Sequence, residues 1–519
     1  MSSSMRRTTW GRGIASGILL LVSQGCAAVP LPFFGAGPPL LEDAGVVTTR
    51  SPMDQIHWGI AVARVDSVQV EDAAGEGWER TLEMLAEESA HRKFVPASNM
   101  KIPATAAALS VLGPEHRFET AFWATAERDG EYLRGDLILP ADGDPTLGKP
   151  FHESGEAALT ALADSLVASG VRVVEGALVI DASAWDSVGV PGSWTVGSVE
   201  QPYGASGGAF TVDAGELWLE ARGDFEPGHP AQVRWSPLGE LDFVQNQVVT
   251  AEEPEGLRAA FRPESRRMVL SGAVRPGSVD SIRVAARDPV RQAAAVLHRV
   301  LLDRGVEIHF GLHILWDEGE ELGGGCVSGA IPECDESWKI AGLTSPPLSE
   351  IVEVILKRSQ NWMSEQVVRT LGREAGGTAS WEDGLAAISR YLLEDVEVDP
   401  LDFLLRDGSG LSSHNLLTPR AIIAVLHHMD TSGFGELYRD ALATPGERDS
   451  TLEERLLELE GRIRAKTGTL TNANAISGYL VRDDGTELVF SVLTNGTGLP
   501  ADLVREAMDE VVRTLAGSD

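Results

Sequence analysis

Lysine is scarce in this chain: six of its 43 basic residues are lysine, at positions 93, 101, 149, 339, 357 and 466. Arginine cannot be deprotonated in a protein, so lysine in an arginine-using chain points to a place where a neutral amine matters. Positive charge is short as a whole. Against 77 Asp+Glu the 43 Lys+Arg leave a net charge of −34, a surface that repels nucleic acid and anionic membrane. Cysteine occurs three times, at 26, 326 and 334, and no further ligands cluster nearby, which argues against a zinc site or any other metal. The apolar run Ile14 to Val22 falls short of the about 20 residues needed to span a bilayer. No repeat of fixed period is evident, so a solenoid or propeller is not indicated.

What is present is a chain of 519 residues, 43% hydrophobic and 23% charged, soluble and globular in type and long enough for two to four domains. Residues 1–28 have the layout of an export signal: Arg6, Arg7 and Arg12, an apolar run, then small residues. Ser23-Gln24-Gly25-Cys26 resembles a bacterial lipoprotein cleavage box, although serine stands where that box prefers leucine. Two readings stay open, a lipid-bearing Cys26 that attaches the chain to a membrane, or ordinary cleavage after Ala28. Either sends the protein to the periplasm or cell envelope, where Cys326 and Cys334 can close a short-loop disulfide. Residues 29–52 are rich in Pro and Gly without periodicity and read as a linker.

The stretch Pro96-Ala97-Ser98-Asn99-Met100-Lys101 opens an apolar, alanine-rich helix that Gly113-Pro114 closes. Positions i and i+3 share a helix face, so the Ser98 hydroxyl and the Lys101 amine can meet. Serine is a poor nucleophile unless a neighbour takes its proton, and lysine does so only when burial or another cation lowers its pKa. Pro103 predicts a kinked or late-starting first turn. By itself S-x-x-K is weak, since about two chance matches are expected at ordinary serine and lysine usage in a chain this long.

Two later stretches alter its weight. Ser359-Gln360-Asn361 follows the amphipathic run Leu348 to Lys357, and Lys466-Thr467-Gly468 precedes the strand-like run Ala475 to Leu480. S-x-x-K, S-x-N and K-T-G in this order form the signature of serine enzymes that open amide bonds through an acyl-enzyme. Two of the six lysines fall in these motifs.

Coarse structure can be read around them. A strand is expected at Trp58 to Val70, then an acidic loop at Glu71 to Glu79, then the Ser98 helix. Further strands are expected at 118–125, 133–139 and 171–180, with a helix at 157–169. Short β-runs are expected at 215–221, 231–235, 267–271 and 281–284, followed by a helix at 290–302. Helices at 348–357, 364–374, 381–393, 420–429 and 500–515 and a strand pair at 475–481 and 487–494 complete the pattern. Ser98 and Ser359 are separated by about 260 positions, more than one connection can absorb, so an insertion leaves the catalytic domain and returns. The expected fold is therefore α/β with an antiparallel sheet. It is discontinuous, with residues 53–120 and 341–519 forming the catalytic part and 121–340 an insertion.

On these residues, with Gly143-Asp144-Pro145-Thr146, Asp407-Gly408-Ser409-Gly410 and Thr418-Pro419-Arg420, the chain resembles the class C low-molecular-mass penicillin-binding proteins. These are D-alanyl-D-alanine carboxypeptidases/endopeptidases that trim peptidoglycan, built on the serine penicillin-recognising (β-lactamase/transpeptidase-like) fold. The resemblance spans about residues 45–515 and implies two smaller domains within the insertion at 121–340, peptidoglycan peptides and β-lactam antibiotics as partners and no cofactor. It implies Ser98 as nucleophile, Lys101 as base, and Ser359 as the proton path to the leaving amine. Asn361 would hold the acylating chain; Lys466, Thr467, Gly468 and Thr469 would form the carboxylate site. The oxyanion hole would be the backbone N–H groups of Ser98 and Thr469. Asp181, in Asp181-Ala182-Ser183, matches a family aspartate that reaches toward the substrate's diamino acid, the alternative being a strand-end cap. Asp407 and Ser409 read as a turn beside the site.

A β-lactamase would share the three motifs, but the glutamate of a class A E-x-x-L-N loop is missing between 361 and 466, and the large insertion argues against it. A catalytically inactive wall-binding homologue is the other alternative. Intact motif side chains argue against that one.

Overall fold

The structure is a computed structural model that describes residues 45–72, 75–237, 244–262, 267–322 and 326–517. The expected signal at 1–28 with Cys26, and most of the linker at 29–52, lie outside the described residues. Five strands build the main sheet: β1 (His57–Asp72), β2 (Gly75–Glu88), β3 (Ile463–Leu470), β4 (Ala473–Val481) and β5 (Glu487–Asn495). Their order is β2-β1-β5-β4-β3. Every neighbouring pair is antiparallel, and β3 is an edge.

Strand alternation divides the core in two. Ile60 and Val62 of β1 and Phe490 and Val492 of β5 face α6 (Ala501–Ala516), against Val504, Met508, Val511 and Leu515. Ala61, Ala63, Val489 and Leu493 face the opposite way, toward α1 (Lys101–Leu112). Around α1 pack α2 (Leu348–Lys357), α3 (Asn361–Glu374), α4 (Trp381–Glu394) and α5 (Pro419–Thr431). The first nine residues of α1 are all buried, which explains its composition: a helix covered on every side is apolar all round, and alanines let neighbours approach closely. Full burial of Ile102 and Leu109 contributes about 1.5–3 kcal/mol each.

Between α1 and α2 a second sheet runs in the order 312–315, 178–181, 137–140, 119–124 and 338–344, its first three strands parallel. Helices Gly155–Ser169 and Pro289–Asp303 share its core, with Leu139, Leu162, Ile180 and Val296. Two three-stranded sheets, centred on Glu216–Arg222 and Arg267–Val274, meet through Leu219, Val248, Met268 and Leu270. On this packing we propose the division of residues 53–120 and 341–519 from an insertion at 121–340. The Cys326–Cys334 disulfide forms as expected, with 5.8 Å between Cα atoms. Among the described residues no helix is long and apolar enough to cross a membrane.

Several expectations need correction. The acidic stretch 71–79 is not a loop in its described residues, since β1 extends to Asp72 and β2 starts at Gly75, the two paired antiparallel. Farther along the same pair of strands, opposite charges face each other, Arg64 with Glu83 at 2.5 Å, so charge is compatible with pairing at this edge of the sheet. The strand expected over 171–180 is two short strands, Val173–Val174 and Leu178–Asp181, interrupted at Gly176, where a Cβ would meet Asp136 at 2.3 Å. Strands at Val244–Thr250 and Glu255–Arg262 were not anticipated, because neither run alternates: Gln245-Asn246-Gln247 are consecutive polar residues and Ala259-Ala260-Phe261 consecutive apolar ones. Lys466 precedes the strand at Ala473–Val481 as expected, and itself lies in a further strand, β3, that was not anticipated.

Candidate active site

Pro103 shapes the entry to α1 as expected. The chain makes a 3-10 turn over Ala97–Met100, and the α-helix starts at Lys101, so the proline falls in the first turn, where a missing N–H costs no helical bond. Ala97 stands at φ 47°, which lifts Ser98 out of the helix line. Lys101, fully buried, donates from Nζ to Ser98 Oγ at 3.1 Å, to Asn361 Oδ1 at 2.7 Å and to the Ser409 carbonyl at 2.6 Å. Those are all three donors an ammonium has. Burial pushes the Lys101 pKa down to about 7, although the Glu365 and Asp407 carboxylates pull the other way.

Ser359 and Asn361 sit where α2 ends and α3 begins. Ser359 adopts the left-handed region at φ 58°, turning its hydroxyl to accept from Lys466 Nζ at 2.9 Å. Lys466 also donates to the Thr467 carbonyl at 2.7 Å. Its pKa is held well below the ordinary lysine value by burial and by the neighbouring Lys101. Asn361, the first residue of α3, donates from Nδ2 to the Tyr203 carbonyl at 2.8 Å and so ties the inserted region to the site.

Ser98, Ser359, Asn361, Thr467, Gly468 and Thr469 line one cleft of about 640 Å³, with Tyr203 and Ser198 from the insertion on its wall. Two glycines let the backbones close around it. A Cβ at Gly410, which stands at φ +83°, would lie 1.8 Å from the Ala97 carbonyl oxygen. One at Gly468 would lie 2.8 Å from the Ser98 nitrogen.

The expected site residues of the three motifs are thus brought together, and Asp181 is not. Its Oδ1 accepts from the Ser183 hydroxyl at 2.5 Å and the Ser183 N–H at 3.1 Å, and its Oδ2 from the Gly329 N–H at 2.8 Å. It borders a different cavity, of about 460 Å³, with Trp123 and Arg373. The geometry is that of a strand-end cap.

Sequence reasoning missed the support beneath Lys101. Glu365, fully buried, accepts from the Ser409 N–H at 2.7 Å, the Gly408 N–H at 3.0 Å and Trp381 Nε1 at 2.8 Å. It follows Asn361 by four positions on α3, the one trace of it in the sequence. Asp407 accepts from the Gly410 and Ser412 N–H groups, at 2.8 and 2.6 Å, and fixes the turn that carries the Ser409 carbonyl.

A cleft serine bonded to a buried lysine, joined to an S-x-N and a K-T-G lysine on an antiparallel sheet, defines an active-site-serine enzyme of the penicillin-recognising class. Comparison with known proteins narrows this. The D-Ala-D-Ala carboxypeptidase 3 (S13) family matches residues 79–517, and the chain belongs to it. A D-alanyl-D-alanine carboxypeptidase from an Actinomadura species is 31% identical, over 98% of this chain and 93% of that one. Carboxypeptidase DacB of Mycolicibacterium smegmatis is 25% identical over 98% and 99%. The crystal structure of penicillin binding protein 4 (dacB) from Haemophilus influenzae superposes with a TM-score of 0.72 at 22% identity, covering 92% of this chain and 98% of that one, a likeness of fold.

Proposed function

We propose that this chain is a serine D-alanyl-D-alanine carboxypeptidase acting on peptidoglycan stem peptides, and that β-lactams acylate the same serine. One observation carries the reading: a single buried amine, Lys101 Nζ, stands within hydrogen-bond reach of both Ser98 Oγ and Asn361 Oδ1. In this reading neutral Lys101 takes the Ser98 proton as Oγ attacks the carbonyl carbon between the two terminal D-alanines. The oxyanion that forms is held by the Ser98 and Thr469 N–H groups, each such donor being worth about 3 kcal/mol of transition-state stabilisation. The C–N bond then breaks, and the proton reaches the leaving amine through Ser359, beside Lys466. Water hydrolyses the Ser98 ester and restores the hydroxyl. Lys466 with the Thr467 and Thr469 hydroxyls receives the terminal carboxylate, a charge-assisted contact, and Asn361 holds the acylating chain.

Such a substrate lies outside the cytoplasmic membrane, in keeping with the export signal read at 1–28. A lipid on Cys26 is the finer proposal, supported by Ser23-Gln24-Gly25-Cys26 alone. Incorporation of a labelled fatty acid that Cys26→Ala abolishes is the expected result. For the activity, the full chain is mixed with a fluorescent penicillin and, separately, with pentapeptide muropeptides. Stoichiometric labelling and release of D-alanine, both lost in Ser98→Ala, are expected. Absence of a covalent adduct on Ser98 refutes the reading.

A further inference from the structure

The cleft carries a second positive group that the three motifs leave unused. Arg455 and Arg505 line it together with Thr451. Arg455 is engaged, its Nε and Nη2 donating to the two Asp509 carboxylate oxygens at 3.1 and 2.6 Å. Arg505 lies four positions before Asp509 on α6, half-buried, and has no hydrogen-bond or ion-pair partner among the described residues. In a chain of net charge −34, a guanidinium left without an acidic partner at a cleft presents a planar fork suited to a carboxylate.

Its position indicates which part of a substrate it meets. The insertion contributes Ser198 and Tyr203, the latter bonded to Asn361, which holds the acylating chain. Arg505 lines the cleft together with Thr451. There the Thr451 N–H donates to the Lys357 carbonyl at 3.0 Å, two residues before Ser359, the proton path to the leaving amine. The Arg455–Asp509 pair fastens that same segment to α6. A departing D-alanine has one carboxylate, which the Lys466 site takes. Arg505 then has no partner unless the leaving group is longer.

We infer that Arg505 forms a subsite for a second carboxylate on the leaving group, and so selects a cross-linked peptide, whose departing strand bears further carboxylates, over a lone D-alanine. The bond broken and the proton path are those of the proposed carboxypeptidase reaction, on which this inference rests. Only the leaving amine differs.

The test compares wild type, Arg505→Gln and Arg505→Lys on three substrates: a fluorescent penicillin, a pentapeptide monomer and a purified cross-linked muropeptide dimer. For Arg505→Gln the ratio of kcat/KM on dimer to that on monomer is expected to fall about tenfold, through KM, as for loss of one charge-assisted contact. Arg505→Lys should restore part of it, and added salt should lower the wild-type ratio more than that of Arg505→Gln. Penicillin acylation reports in each variant that the site is folded. An unchanged ratio, or a wild type that acylates with penicillin and trims monomers yet leaves dimers intact, overturns the inference. A wild type that penicillin does not acylate refutes the underlying function instead.

Discussion

Gly468 faces the backbone nitrogen of Ser98 so closely that a Cβ at 468 would stand 2.8 Å from it, with the Pro96 carbonyl oxygen at 3.1 Å. The edge strand β3 therefore lies close against the nucleophile turn, with the Ala97 Cβ also within 3.0 Å of that point, and in the proposed mechanism the Ser98 N–H is one of the two oxyanion donors. Gly468→Ala is expected to push the two apart. Overpacking costs about 1–3 kcal/mol of stability, while misplacing an oxyanion donor costs about 10²–10³ in rate. Stopped-flow acylation by a chromogenic β-lactam, alongside Tm, separates the two effects. A modest Tm shift with an unchanged acylation rate would show that this contact does not build the oxyanion site.

Lys101 accepts a proton only when neutral, and burial places its pKa at about 7. Below that pH the neutral fraction falls tenfold per unit, so acylation should slow on acidification and level off above about pH 8. Lys101→Arg removes the base outright, because guanidinium stays protonated, and should leave no measurable acylation at any of these pH values. Measuring the acylation rate constant from pH 5 to 9 checks both. A flat profile across pH 7 contradicts Lys101 as the base.

Much of this site was legible beforehand. Short motifs fix local geometry, as in Ser98 and Lys101 across one turn, and the amphipathic run Leu348–Lys357 became a helix with those bounds. Scarce lysine marked Lys101 and Lys466 as unusual before either was seen to be buried. What stayed hidden depends on contacts between distant segments. Nothing local announces that the Ser409 carbonyl meets Lys101, or that Tyr203 meets Asn361 from within the insertion. Asp181 illustrates the converse: a pattern match located the residue, but only the structure shows its oxygens turned toward Ser183 and Gly329.

The Ser409 backbone links Glu365 to Lys101, its N–H donating to the carboxylate and its carbonyl accepting from the amine. Burial and the nearby Asp407 push the Glu365 pKa up to about 7, so its charge is itself in play near neutrality. In Glu365→Gln the negative charge that favours protonated Lys101 disappears. The lysine pKa then falls, and the acid limb of acylation should move to lower pH. The new amide N–H₂ would face N–H donors at Gly408, Ser409 or Trp381, at a cost of about 1–3 kcal/mol. A pH–rate profile with a thermal melt tests this, and a limb that moves upward contradicts it.

Asn361 gives the opposite sign at the same amine. Its Oδ1 accepts from Lys101 at 2.7 Å, so Asn361→Asp keeps the shape and adds a negative charge in a buried setting, where such a charge strongly favours the ammonium. The lysine pKa should rise, leaving the variant slow to acylate at pH 7 and recovering as pH climbs toward 9. Asn361→Ala provides the contrast. It removes the acceptor without adding charge and frees the Tyr203 carbonyl, so its acylation rate should fall without an upward move of the limb. Profiles of the two variants on one penicillin distinguish a shifted titration from lost positioning. An Asn361→Asp limb that coincides with wild type would mean that the amine titrating near neutrality is not Lys101.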